Sequence, residues 1–382
     1  MRCKVRCSVN NIIPFQNYGV HQYSVVTTCI DAGVNYLDFA DAADFVFGIS
    51  QYDLAAKEAG VFVLSGASSF PVLTAAVVRE MAKEMDIVSI KGGIAPSPYA
   101  GIGLNVMRAV IGYAGGPVQL FRDGRITQAT GLGESMRFTV APPAKLPLRK
   151  VHFSLVDVPD LRIIPPEYRA LHDIWMGAGP IPEALHRILN LMAKTRATLN
   201  LPSWGPLSPI FHKILNLFKF GEHRGGMFVL AQGIKDGKNI ERSWHLLAEG
   251  DDGFYIPSMA IEAILRKHLA GQVPESGARP ATRELTLKDY DELFKNKSIY
   301  TGFRDSGDLT DPLYKRVLGS AFDTLPPRVK SFHNSVEARS WAGRARVQRG
   351  NNRFARFVAW LIGFPKETDD TNVSVTVTPD RN

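Results

Sequence analysis

Two stretches near the start of the chain repeat one wording. Cys29-Ile30-Asp31-Ala32-Gly33-Val34 leads into Tyr36-Leu37-Asp38-Phe39-Ala40, and Lys57-Glu58-Ala59-Gly60-Val61 leads into Phe62-Val63-Leu64-Ser65-Gly66. In each, a glycine stands where a helix needs a left-handed residue just past its C-terminus, and a short apolar run follows. Apolar runs of that length between helices read as parallel strands buried on both faces. A third helix follows from about Pro71, a residue suited to a first helical position, through Val72, Ala75, Ala76 and Met81. The order αβαβα is half of a doubly wound sheet, which constrains residues 1–85 to an α/β arrangement.

Beyond Met85 the pattern changes to glycine- and proline-punctuated strands mixed with helices. Asp86–Ile90, Pro117–Phe121, Met136–Val140 and His152–Val156 read as strands and Leu104–Gly112 as a helix, so residues 86–300 are expected to form a mixed α+β domain around an open sheet. Within it, Ile181–Leu191 and Ile210–Phe220 read as two apolar helices carrying Arg187, Lys194, Lys213 and Lys219, joined by the Pro202-Ser203-Trp204-Gly205-Pro206 turn. Such a pair (181–220) suits either a bilayer interface or a helical hairpin packed on the domain or at a dimer seam. Gly226–Leu230 and Trp244–Ala248 read as a hairpin turning at Asp236-Gly237, then a helix from Ser258 to Ala270 and a polar segment, 271–284. From 311 to 382 a third unit is expected. It has a helix Leu313–Phe322 ended by Pro326-Pro327, a strand Gly343–Val347, a basic amphipathic helix Arg353–Ile362 and a final strand Val373–Thr378 whose sheet looks incomplete.

The 382 residues suit two or three domains with a sizeable core. With 45% hydrophobic and 21% charged residues, wholesale disorder, collagen and coiled coil are excluded. The net charge of +8 is spread along the chain without a basic run, so nothing points to nucleic acid. Cys3, Cys7 and Cys29 cannot frame a disulfide scaffold, and neither a secretion signal nor a membrane-length apolar stretch is evident, so a cytoplasmic location is expected. The histidines show no metal-ligand spacing, and no metal is expected. A G-x-G-x-x-G turn is also missing: Gly101/Gly103, Gly131/Gly133 and Gly177/Gly179 are followed at the third position by Val106, Met136 and Pro182. Neither a Walker loop nor a G-x-S-x-G elbow is present.

Several wordings together resemble the saccharopine dehydrogenase-like oxidoreductases, from the second half of their nucleotide-binding domain onward. They are Pro14-Phe15-Gln16, Ala32-Gly33-Val34-Asn35-Tyr36-Leu37-Asp38, Ala59-Gly60-Val61 and Leu64-Ser65-Gly66-Ala67-Ser68-Ser69. Gly225-Gly226-Met227, Ala248-Glu249-Gly250-Asp251 with Tyr255-Ile256-Pro257, and Gly277-Ala278-Arg279-Pro280 are similar to later parts of the bacterial subgroup. Residues from about 311, with Leu318-Gly319 and Leu325-Pro326-Pro327, resemble a domain of unknown function fused behind it. The resemblance implies a partial Rossmann-type parallel sheet, a mixed α+β domain that mediates dimerisation and a small α+β C-terminal unit, with NAD or NADP as cofactor and a small-molecule substrate. Isoleucine replaces the family's glycine at Ile13, before Pro14-Phe15, and the glycine fingerprint is missing, so the expectation is a chain truncated at its nucleotide-binding end that binds the dinucleotide weakly.

The loop from Ser65 to Pro71 follows a predicted parallel strand and precedes a helix, where open α/β sheets bind ligands. Pro14, Phe15, Asp41, Ser65, Gly66, Ser68 and Ser69 are therefore candidate cofactor contacts, although Ser68 or Ser69 would serve equally as a plain helix cap. Asp38 and Asp41 suit a ribose contact, a base-positioning role or turn formation. His245, Glu249, Asp251, Asp252 and Tyr255 supply acid/base groups within one stretch. Two functions compete: hydride transfer between NAD(P) and a small substrate, or a non-catalytic binding or membrane-surface module derived from such an enzyme.

Overall fold

A computed structural model describes residues 23–100, 103–179, 183–217, 222–308, 313–333, 339–348 and 367–377, with isolated positions between the last two segments. Pro14, Phe15, Cys3, Cys7 and the expected helix Arg353–Ile362 lie outside the described residues, apart from isolated Arg356. The chain divides into two compact units, 1–306 and 307–382.

The first unit begins with α1 (Ser24–Asp31), β1 (Tyr36–Leu37), α2 (Ala43–Gly48), α3 (Asp53–Glu58), β2 (Phe62–Ser65) and α4 (Thr74–Ala82). Gly33 and Gly60 stand just past the ends of α1 and α3 with φ of +62° and +66°, the left-handed conformation expected of them. β3 (Asp86–Ala95), α5 (Leu104–Tyr113), β4 (Pro117–Arg122), β5 (Arg125–Thr130), β6 (Ser135–Val140), β7 (Leu148–Leu155), α6 (Asp160–Ile163) and β8 (Asp173–Ala178) follow. Next come α7 (Glu183–Leu199), α8 (Ser208–Leu217), β9 (Arg224–Lys235), β10 (Lys238–Glu249), α9 (Ile256–Leu269), β11 (Gly277–Pro280), α10 (Leu287–Phe294) and β12 (Ile299–Asp308).

Two larger sheets and a separate β4-β5 ribbon organise the described residues of this unit as an α/β fold. A small parallel sheet has the order β1-β2-β11, and a curled mixed sheet of seven strands has the order β12-β10-β9-β3-β8-β7-β6. β11 falls in the polar segment 271–284, and it closes the parallel sheet from far along the chain. Three contacts bring it there. The Gly277 amide donates to the Val61 carbonyl at 2.9 Å, the Ala278 amide donates to Asp53 at 3.0 Å, and the Arg79 guanidinium on α4 donates to the Thr282 and Leu285 carbonyls at 2.7 and 2.6 Å. Gly277 has φ of +129° and its missing Cβ leaves room for the Asp53 carboxylate, so the position requires glycine.

In the large sheet, β9 and β10 pair antiparallel from Arg224↔Glu249 to Lys235↔Lys238, turning at Asp236 and Gly237, both with positive φ as a type I′ turn demands. Asp123-Gly124 makes the same turn between β4 and β5. Beneath β3, Phe228 stacks on Phe138 with centroids 3.9 Å apart and meets Phe153 edge-on at 5.0 Å. A Cβ on Gly93 would strike the Phe228 and Phe153 rings, which is why this strand carries glycine in the core. One continuous core links both sheets through Leu64, Val77, Ile90, Phe228, Leu246 and Tyr290.

The second unit contains α11 (Leu313–Leu318), α12 (Pro327–His333) and an antiparallel ribbon of β13 (Arg339–Val347) and β14 (Thr368–Val377). Pro327 opens α12 rather than ending the preceding helix, because its missing amide is harmless in a first turn. The final strand finds its partner in β13, with Arg346 paired to Asp369 at 2.9 Å across the ribbon.

Candidate active site

The C-terminal ends of β1 and β2 are locked together by one carboxylate. Asp38 Oδ1 accepts from the Ala40 amide (2.9 Å), the Gly66 amide (2.8 Å) and the Ser65 hydroxyl (3.0 Å). Burial pushes the Asp38 carboxyl above its ordinary value, and these donors pull it partway back. Gly66 takes φ of +74° against the Val46 side chain, where a Cβ would clash. Ser65 and Gly66 are therefore committed to the scaffold. Ser68 does not cap the helix that follows, its side chain making no capping bond. Ser69 is turned toward a cavity.

That cavity, of about 270 Å³, lies where the β2 loop meets the mixed sheet. Ser69 lines one side and Ile94–Ser97, at the end of β3, line another, while Gly225–Met227 and the Ala248–Pro257 region close it. The close backbone approach explains the glycines: a Cβ on Gly225 would press on the Ala95 carbonyl and Ser97 amide, each 3.1 Å away. Two wordings far apart in sequence, Gly225-Gly226-Met227 and Ala248-Glu249-Gly250, thus meet because β9 begins where β10 ends.

Next to the cavity wall the same hairpin brings together two residues just outside the paired ladder. His223 Nε2 lies 3.2 Å from Asp251 Oδ1, and the Tyr99 ring stands 4.5 Å from the imidazole, centroid to centroid. The Gly250 amide donates to the His223 carbonyl at 3.0 Å, which fixes this corner to the cavity wall. Asp251 is among the acid/base residues expected from the sequence. His223 and Tyr99 are not, since no local motif announces them.

The remaining sequence candidates sit elsewhere. His245 is 3% exposed on β10, where Nδ1 accepts from the Ala141 amide (3.1 Å) and Nε2 lies 2.9 Å from the Ser243 hydroxyl. Burial pushes its imidazole down to about 4, so it is a neutral strut between strands. Glu249 ends β10, its amide donating to the Ser298 carbonyl. Asp252 accepts from the Ser298 amide at 2.6 Å, and Tyr255 lies exposed beneath the Lys297 ammonium, 4.9 Å from its ring centroid. These bonds place Asp252 and Tyr255 in the packing of the 250–257 turn. Asp41, beyond β1, is not part of the cavity wall; burial lifts its carboxyl to about 6, and its charge bears on Tyr113. No grouping of histidine, cysteine or acidic residues among the described residues has the geometry of a metal site. No helix among them is long and apolar enough to cross a membrane.

The fold is a Rossmann-like α/β arrangement. A solved structure of similar fold is the apo histidine-tagged saccharopine dehydrogenase (L-Glu forming) from Saccharomyces cerevisiae, similar at TM-score 0.51 and 11% identity over 74% of this chain and 82% of that one. A dehydrogenase (MviM) from Clostridium difficile aligns with 72% of this chain and 74% of its own at 8% identity, but its TM-score of 0.26 carries no weight for the fold. No family model and no curated protein matches the sequence.

Proposed function

We propose that this protein is an NAD(P)-linked oxidoreductase of the saccharopine dehydrogenase-like kind, with its reaction centred in the cavity between Ser69 and the Gly225–Met227 strand start. The observation that carries this reading is the position of the cavity, at the C-terminal end of a parallel strand in an α/β sheet, where such folds bind ligands. The residues there fit the nicotinamide end of a dinucleotide: the Ser69 hydroxyl and the Ala95–Ser97 turn would hold it. When bound in its reduced form, that group supplies a hydride. The chain's own part is the proton. Asp251 holds His223 through Nε2, leaving Nδ1 to give a proton to a substrate oxygen beside the Gly250 wall, and Tyr99 limits the ring's orientation.

The 382 residues contain no glycine turn to cradle a pyrophosphate, so the adenylate half should add little affinity. NADH and reduced nicotinamide mononucleotide are expected to bind with dissociation constants within about threefold of each other, whereas a normal pyrophosphate site would separate them by orders of magnitude. Isothermal titration of the full chain with both ligands is the check. No heat with either would remove the cofactor reading, and NADH binding a hundredfold tighter would reveal an adenylate site. In assays of NADH- or NADPH-dependent carbonyl reduction, His223→Gln should lower turnover about 10²–10³-fold and flatten its pH profile while leaving mononucleotide binding intact.

The alternative of a membrane-surface module is favoured by one observation. α7 exposes Ile188 (51%) and Leu191 (66%), and α8 exposes Ile210 (56%), although Leu189 and Ala193 of α7 face the core. Under this alternative the chain should co-sediment with phosphatidylserine vesicles, and the double change Ile188→Asp with Ile210→Asp should weaken that binding at least tenfold. Unaltered sedimentation of the double variant would end the idea.

A further inference from the structure

The cavity walls carry a statement about charge. Among the described residues that line it, Ser69 and Ser97 are the only ones with polar side chains; the rest are glycine, alanine, proline, isoleucine, leucine, methionine and phenylalanine. A carboxylate drawn into such a place would lose its hydration and find no cation among the described lining residues, a cost that amino and keto acid enzymes meet with arginine or lysine in the site. Among the described residues, Arg224 and Lys297 are cations near this region, and both are engaged elsewhere. Arg224, next to the Gly225-Gly226 wall, is mostly buried, with its guanidinium on Glu222 at 2.8 Å and on the Leu146 carbonyl at 2.7 Å. Lys297 sits over the Tyr255 ring and beside Asp252 at 3.9 Å.

We infer that the cavity takes an uncharged carbonyl compound with an apolar chain, and not an amino or keto acid. The chain lies along Ile94, Met227, Leu246 and Phe254, and the carbonyl oxygen points toward Gly250, the wall residue whose amide is bonded to His223. This rests on the oxidoreductase reading only for what happens to the carbonyl; the class of ligand follows from the walls alone. The preference is the reverse of what saccharopine, with its several carboxylates, would need.

Methyl hexyl ketone and octanoate, equal in chain length and opposite in charge, are the probes. The full chain with labelled methionine methyl groups would be titrated with each, the Met227 resonance being assigned through Met227→Leu. The ketone should shift the Met227 methyl with a dissociation constant at least tenfold below that of octanoate. Octanoate or glutamate binding as well as the ketone, or a ketone that leaves Met227 unmoved, overturns the inference. Phe254→Arg, at a half-exposed wall position, should invert the preference by at least tenfold toward octanoate; Ala100→Arg serves the same end if Phe254→Arg does not fold. Failure of a folded variant to gain octanoate binding also counts against it. Ketone binding at Met227 without any nicotinamide-dependent reduction supports the ligand class and removes the redox reading.

Discussion

On acidification from pH 7 to about 4.5, the protein is expected to lose about 2 kcal/mol of stability at each of two buried histidines, His186 and His245. They are 2% and 3% exposed, and burial takes both imidazoles from 6.5 down to about 4, with the neighbouring His152 adding to the effect at His186. Because the folded values lie below the unfolded one, the unfolded chain binds the proton first. The contribution is complete above pH 6.5 and declines as pH falls toward 4. Urea unfolding at the two pH values measures it. His186→Leu and His245→Gln should each shrink the pH difference by about 2 kcal/mol, whatever they do to stability at pH 7, and an unchanged difference would show that the histidines titrate normally.

Asp160 should act in the opposite direction. It opens α6 with no exposed surface, and neither carboxyl oxygen completes a hydrogen bond with the protein. Burial raises its pKa from 3.8 to about 7. The folded state therefore holds the proton that the unfolded state has released, so stability falls as pH rises from about 4 to 7 and the full penalty persists above. Asp160→Asn, which keeps the shape without the ionisation, should raise the unfolding free energy at pH 8 by about 2–4 kcal/mol and leave it nearly unchanged at pH 4. Equal effects at both pH values would mean that the gain comes from packing.

How much of this was legible in the residues depended on whether the signal was local. The helix ends at Gly33 and Gly60 and the Asp236-Gly237 hairpin are announced by residues that the turn itself requires, and they appear where expected. α10, which is not among the elements expected from the sequence, carries a capping box from Thr286 to Asp289. β8 is buried almost throughout, so it lacks the alternation that marks a half-exposed strand. β11 is shorter still, and what holds it is an amide on Asp53 and carbonyls on Arg79, bonds to residues some two hundred positions away. The site shows the same division. Gly225-Gly226-Met227 and the 248–257 stretch stand out as wordings, but the His223 and Asp251 pair exists only through hairpin register. Counting outward from the Asp236-Gly237 turn through twelve-residue arms places Arg224 opposite Glu249, and the residues just beyond must then meet. His245 stood out in sequence by its acidic neighbours, yet strand alternation turned it inward.

The late arrival of β11 bears on how the polypeptide is made. The register joins Phe62–Ser65 to Gly277–Pro280, so the parallel sheet spans nearly the whole first unit in sequence and encloses every strand of the mixed sheet but β12 between its own strands. During synthesis from the N-terminus, β2 waits with one edge unpaired while more than two hundred residues follow, and its four core-facing side chains wait with it. Loop closure over such a separation is slow, which makes the interval before residue 280 emerges the period of greatest exposure to aggregation. A ribosome stalled before that point carries an α/β lobe without its third strand; one stalled shortly after it carries a lobe able to close.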